Sequence, residues 1–257
     1  MKKYIIISII FCIQISCSKN SVDQENGEEN KNGYFVDSFD TNGTLINFVT
    51  NNPSALPNVS SESGRYKAIL TDNTDDVTLH FNNSQGRIDA KLVKFPFEFI
   101  ARNIGIGTLN DSQISPTPNN GPYVFCGVQV HHKDFNSINS SHVVVGHRGS
   151  TGYTIEGKNT VEGVSNVNDI GSNTVPQGRG DIRIVGNKDK TLTVYWQTPN
   201  LAYTDTDDNW KLYKDTGDLP GISPNFGSEV YIGLITYAFG QNGVPFVGTC
   251  DAIQIMD

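Results

Sequence analysis

Four of the five histidines in this 257-residue chain fall between His131 and His147, and the first of them stands two residues after Gln129. Successive side chains of an extended strand point to opposite faces. In the run YVFCGVQVH, Cys126, Val128 and Val130 therefore share an inward face, and Phe125, Gln129 and His131 share the other. With Val143 and Val145 inward, HVVVGHR puts His142 and Arg148 outward together and His147 on the core side or at the strand end; the reversed phase is the alternative. The same count makes Tyr231 and Tyr237 outward against Ile232 and Leu234, and Asp181 and Arg183 outward against Ile182 and Ile184. Tyr195 is outward against Leu192, Val194 and Trp196, and Arg87, Asp89 and Lys91 are outward against Ile88, Ala90 and Leu92.

This outward set is rich in Arg, Lys, His, Gln and Tyr although the formal net charge is −8. Cations gathered on an acidic body suit a ligand bearing carboxylates or sulfates. The acidic total argues against a nucleic-acid partner. The same residue types could remove a proton α to a carboxylate. Arg or Gln would neutralise the carboxylate and stabilise the dianionic intermediate; His, Lys or Tyr would take the proton, and Tyr would protonate the leaving oxygen. For a single histidine the competing reading is a hydrogen-bonded structural role.

The elements that must position these groups are strands. Short alternating runs recur from GRYKAIL (at Gly64) through DVTLHF (at Asp76), RIDAKLV, FPFEFIA, DIRIVG, TLTVYW and EVYIGLITYAF to CDAIQI, separated by Gly, Asn, Asp and Pro clusters such as SPTPNNGP and GNKDK. The spacing predicts an all-β chain, a two-sheet antiparallel β-sandwich of the jelly-roll kind. Trp196 and Trp210 read as core. Glu98 stands alone in its run, and Glu156 and Glu162 flank Gly-rich sequence that reads as loop.

Lys2 and Lys3 precede an apolar run, Tyr4 to Ile15, too short to span a bilayer, so residues 1–16 read as a signal peptide. Residues 17–33 are nearly devoid of aliphatic side chains and read as a flexible tether. Folded sequence runs over 34–257 as one domain, expected to be a monomer. Ile-Gln-Ile-Ser-Cys resembles a bacterial lipobox, which implies lipid on Cys17, a membrane partner through that lipid, and, with Ser18 next, an outer-membrane lipoprotein on the periplasmic or cell-surface side. Ordinary cleavage near Ser16 is the alternative. Cys126 and Cys250 are then the remaining thiols, and an oxidising compartment suggests a disulfide; two buried reduced cysteines are the alternative.

VDSFD, GVQVHH, DIRIVGNKDKTLTVYW, the Trp210-Lys-Leu-Tyr start, VYIGLITYAF and DAIQI resemble, in that order, the concanavalin A-like lectin/glucanase jelly rolls. That resemblance implies a glycan-handling domain, here with an acidic polysaccharide as partner. It also implies an optional structural calcium for which Asp37, Asp40 and Asp251 could supply oxygens, and no cofactor for catalysis. Gln129-Val130-His131 is similar to the Gln-Ile/Val-His strand of jelly-roll alginate lyases. On that similarity Gln129 binds the uronate carboxylate, His131 is the neutral base, and Tyr231 or Tyr237 is the acid.

Two further strands of those lyases are missing: Arg87-Ile-Asp89-Ala-Lys91 replaces their Arg-x-Glu-Leu-Arg, and Tyr-Phe-Lys-Ala-Gly is absent. Alginate is therefore not the expected substrate. Jelly-roll lyases acting on ulvan use other basic residues, and Lys133, Lys158 or Arg148 could stand in, with His142, Arg183 and Tyr195 completing the expected substrate-binding set. The paired-Glu strand of retaining glucanases is absent. A non-catalytic glycan-binding lipoprotein is the alternative to an acidic-polysaccharide lyase.

Overall fold

The computed structural model describes residues 34–40, 45, 48–70, 86–109, 123–175, 177–199, 209–239 and 246–257. The signal peptide, the tether, Cys17 and the run beginning at Asp76 lie outside the described residues. Among the described residues, alternating β-branched, aromatic and polar residues form sixteen strands, and the only helical turns are short 3-10 pieces. No described helix is long and apolar enough to cross a membrane.

Seven strands make one antiparallel sheet. In spatial order they are β10 (Val164–Asp169), β9 (Tyr153–Val161), β8 (Ser140–Arg148), β7 (Tyr123–His132), β14 (Glu229–Phe239), β5 (Ile88–Lys94) and β2 (Val49–Asn51). The second sheet has nine: β13 (Lys211–Leu212), β12 (Leu192–Gln197), β11 (Arg179–Gly186), β6 (Phe97–Gly107), β15 (Phe246–Cys250), β4 (Tyr66–Leu70) and β3 (Val59–Ser61), with β16 (Ala252–Met256) also paired to β6 and β1 (Tyr34–Asp37) paired to β16. The eleven residues of β6 serve β16 with one half and β15 with the other. The change comes at Asn103, whose φ of 47° is a left-handed conformation that Asn tolerates. Asp181 accepts the Asn103 N–H at 2.7 Å, and Arg179 donates to the Asn103 side chain at 2.8 Å, so the buried charges of β11 serve this irregularity.

The core lies between the sheets, with Val124, Val128, Val143, Val145, Ile232 and Leu234 from one and Phe99, Ile104, Ile182 and Val194 from the other. Cys126 and Cys250 are both buried there as free thiols, so the bridge expected from the compartment is not formed. The sulfurs lean on different carbonyls, Cys126 toward Thr249 at 3.7 Å and Cys250 toward Ala252 at 3.3 Å and Arg102 at 3.5 Å.

Strand β5 reverses the expected facing. Ile88 and Ala90 lie on the outer face, while the buried Asp89 accepts hydrogen bonds from Tyr66 of the other sheet, from Thr50 and from Arg87. A carboxylate supplied with three donors is stable where an unpaired one would not be, and so the polar side of this strand could be turned in. Lys91 rests over the Phe35 ring, 4.1 Å from its centre.

Candidate functional site on the outer face of the seven-stranded sheet

Strand register fixes which outward side chains meet. Residues opposite each other on neighbouring antiparallel strands share a face with their Cβ atoms about 5 Å apart. One row reads Tyr231, His131, Ser140, Thr160 across β14, β7, β8 and β9. The next reads Gly233, Gln129, His142, Lys158, and the third reads Ile235, Gly127, Val144, Glu156, ending at Asp169 of β10. Tyr237 and Phe125 follow, then Arg148 beside Tyr123. Gln129, His131, His142, Arg148, Lys158, Tyr231 and Tyr237 therefore share one face, on the phase expected for β7, β8 and β14.

Arg183 and Tyr195 do not join them. They belong to β11 and β12 of the other sheet, where Arg183 forms a two-bond pair with Glu98 at 2.8 and 2.9 Å and stacks on Tyr195. Strand parity says which residues of a strand share a face but does not say which sheet the strand enters. Asp37, Asp40 and Asp251 do not assemble into a metal site either. Asp251 binds Arg65 at 2.5 Å and Asn103 at 2.7 Å, Asp37 accepts the Phe39 N–H, and Asp40 accepts from Ser38. No group of three or more His, Cys, Asp or Glu able to hold a metal ion occurs among the described residues.

At the first row His131 is buried, and its Nδ1 lies 2.7 Å from the His132 carbonyl oxygen. A carbonyl only accepts, so Nδ1 carries the proton and the lone pair sits on Nε2, which has no hydrogen-bond partner. Burial lowers the pKa of this ring, favouring the neutral form. Phe135 packs 5.3 Å from His131 and stacks on Tyr231 with ring centres 4.3 Å apart and planes 12° off parallel. Phe135 and Tyr231 are only half-buried.

In the second row His142 is buried with neither ring nitrogen hydrogen-bonded, and burial, followed by the charge of Lys158, holds its pKa well below the ordinary value. Lys158 is itself lowered to about 8 by burial, partly opposed by Glu156. Farther on, Tyr237 donates to Glu156 Oε1 at 3.3 Å, and Arg148 Nε lies 2.7 Å from Glu156 Oε2, an ion contact whose N–H direction misses the oxygen. Arg148 also pairs with Asp169. Burial raises the Glu156 carboxyl to about 7 against the pull of Arg148 and Lys158. Of the two candidate phenols, Tyr231 thus neighbours His131, and Tyr237 belongs with Glu156 and His142, whose ring centre is 5.7 Å away.

Glu156 is the residue of this face that sequence reasoning missed, because its segment was read as loop. The signal was present in Val161-Glu162-Gly163-Val164, where φ values of 49° and 82° at the two central residues make the two-residue hairpin turn that matches strand twist. Taking that turn as a hairpin would have placed Thr154, Glu156, Lys158 and Thr160 together on one side of β9.

The two-sheet antiparallel sandwich is a jelly roll, and solved structures of low sequence identity are similar to it in fold. A xylan β-1,4-xylosidase from Bacillus halodurans superposes with a TM-score of 0.56 at 12% identity over 90% of this chain, which spans 40% of that one. The galactose-bound lectin UEA-II gives 0.52 at 9% identity, with 87% of this chain and 97% of the lectin covered. LamAcat from Zobellia galactanivorans gives 0.50 at 8% identity, with 91% of this chain and 98% of that one covered. No family model and no curated protein matches the chain.

Proposed function

We propose that the protein is a polysaccharide lyase that cleaves a uronate-containing glycan by β-elimination. The observation that carries this reading is His131, a buried neutral imidazole with Nδ1–H held by a backbone carbonyl and Nε2 bare, with Gln129 on the same face and Tyr231 directly across the strand pair. The likeness in fold to glycan-handling proteins supports the substrate class.

In this mechanism the uronate carboxylate lies against the Gln129 amide and the Lys158 ammonium, which stabilise the charge that develops when the α-proton leaves. His131 Nε2 takes that proton. The C–O bond to the neighbouring sugar breaks as the new C=C bond forms, and Tyr231 Oη gives its proton to the departing oxygen. Proton exchange with solvent then restores both groups. Lipid on Cys17 would hold the enzyme at the outer membrane, where released fragments could be taken up; metabolic labelling with a radioactive fatty acid, lost in Cys17→Ala, tests that placement.

The test is to mix the purified protein with a panel of uronate glycans and follow the ultraviolet absorbance of unsaturated uronate. Absorbance should rise, and His131→Ala and Tyr231→Phe should each lower kcat by about 10²- to 10⁴-fold while glycan affinity changes little. Binding with no product from any glycan would convert the reading to a capture protein.

A further inference from the structure

The face that carries His131 is close to charge balance among the described residues. Arg148 sits between Glu156 and Asp169, and Lys158 lies in the same electrostatic neighbourhood as Glu156. At the other end Lys133 pairs with Glu229, Lys94 stands opposite Glu229 in the strand register, and Asp134 follows directly, its N–H donating to His132 Nδ1 at 3.0 Å. Each cation is matched by a carboxylate. A groove for a densely charged polyanion would show an excess of cations, because every repeating charge needs a counterpart or is repelled. This face can settle one carboxylate at Gln129 and Lys158, but a second and third in line would meet Glu156 and Asp169 on one side and Glu229 and Asp134 on the other.

What the face does offer next to the base is flat carbon. Phe135 and Tyr231 form a parallel stack beside His131 and are half-exposed, whereas Gln129, His131 and His142 are buried. The apolar C–H face of a pyranose packs on such a ring, while the hydroxyl rim stays in water. We infer that the site takes a glycan in which acidic units are separated by neutral ones, the neutral neighbour of the reacting uronate lying on the Phe135–Tyr231 stack. The inference rests on the reading of this face as a glycan site and narrows its substrate to polymers of low charge density.

The experiment measures binding apart from turnover, by calorimetry on the His131→Ala protein with two probes: a homopolymer of uronic acid, and a polymer alternating a uronic acid with a neutral sugar. The alternating polymer should bind about tenfold tighter or better, with an affinity that changes little as salt rises. Phe135→Ala should weaken the alternating polymer by about three- to tenfold and leave the homopolymer unaffected, and Phe135→Tyr should restore the preference. A homopolymer bound more tightly and released by salt, an equal effect of Phe135→Ala on both probes, or no binding of either would each overturn the proposal. A wild-type protein that eliminates nothing yet keeps this binding order would remove the lyase reading and leave the specificity standing.

Discussion

At the residue scale the face is set by how burial divides protons among three groups. Lowering the pKa of His131 keeps its Nε2 lone pair available in mildly acidic solution, so the acid limb of kcat/KM should fall below pH 6.5, the ordinary histidine value. A limb above that value would remove His131 as the base. The buried His142 and Glu156 shape stability in opposite senses. The unfolded chain protonates His142 first, so stability falls as pH drops below 6.5. Glu156, raised from 4.5 to about 7, keeps its full stabilising effect below pH 4.5 and loses it as pH rises through 7. That loss is at most roughly 3 kcal/mol. Glu156→Gln, which cannot ionise, should therefore gain Tm over the parent at pH 8 and gain little at pH 4.5. A gain that does not depend on pH would show that burial does not raise the Glu156 pKa.

At the scale of elements, what the sequence made legible follows from chemistry that repeats every second residue. In β7 and β14 the alternation of small and apolar residues marks the inward side, so the sequence turns Gln129, His131, Tyr231 and Tyr237 outward, while in β8 the run of three valines leaves both phases open and only the strand register turns His142 to the same face. In β5 the rule failed because Asp89 has its own donors in Arg87, Thr50 and Tyr66, and pairing between sheets is invisible along a single strand. In β9 it failed because glycine, threonine and asparagine dilute the apolar signal. Glycine has a packing role in β14: a Cβ on Gly233 would stand 2.0 Å from the Asp89 carbonyl oxygen and 2.4 Å from the Ala90 Cα. Both obstacles are backbone of β5 and cannot rotate away. Gly233→Ala should therefore cost about 1–3 kcal/mol or more in chemical denaturation, and an unchanged midpoint would mean that the two strands are less closely apposed.

At the scale of the whole molecule, the sandwich rests on burial between its sheets and not on a covalent clamp. Desolvation pushes the Cys126 thiol up to about 11 and Cys250 well above its usual value, so neither is a thiolate at neutral pH. The native protein should resist alkylation, take two labels at these positions once unfolded, and melt at the same temperature with or without reductant. A Tm lowered by reductant would reveal a bridge after all. The two sheets also divide the polar residues by task. Arg179 and Asp181, the buried charges of β11, serve one sheet's own irregularity at Asn103, whereas the charges of β7, β8 and β9 face away from the core.

The pairing of β1 with β16 sets Tyr34 beside Met256, on the sheet that does not carry His131. If the chain is held to a membrane through its first residues, a tug from a captured polymer is resisted first by this four-residue ladder, which can peel open one rung at a time. The peeling would draw Phe35 from under Lys91, yet the hydrogen-bonded ladders joining β14, β7, β8 and β9 would stay closed. The attachment would therefore act as a mechanical fuse, yielding before the groups on the His131 face lose their alignment.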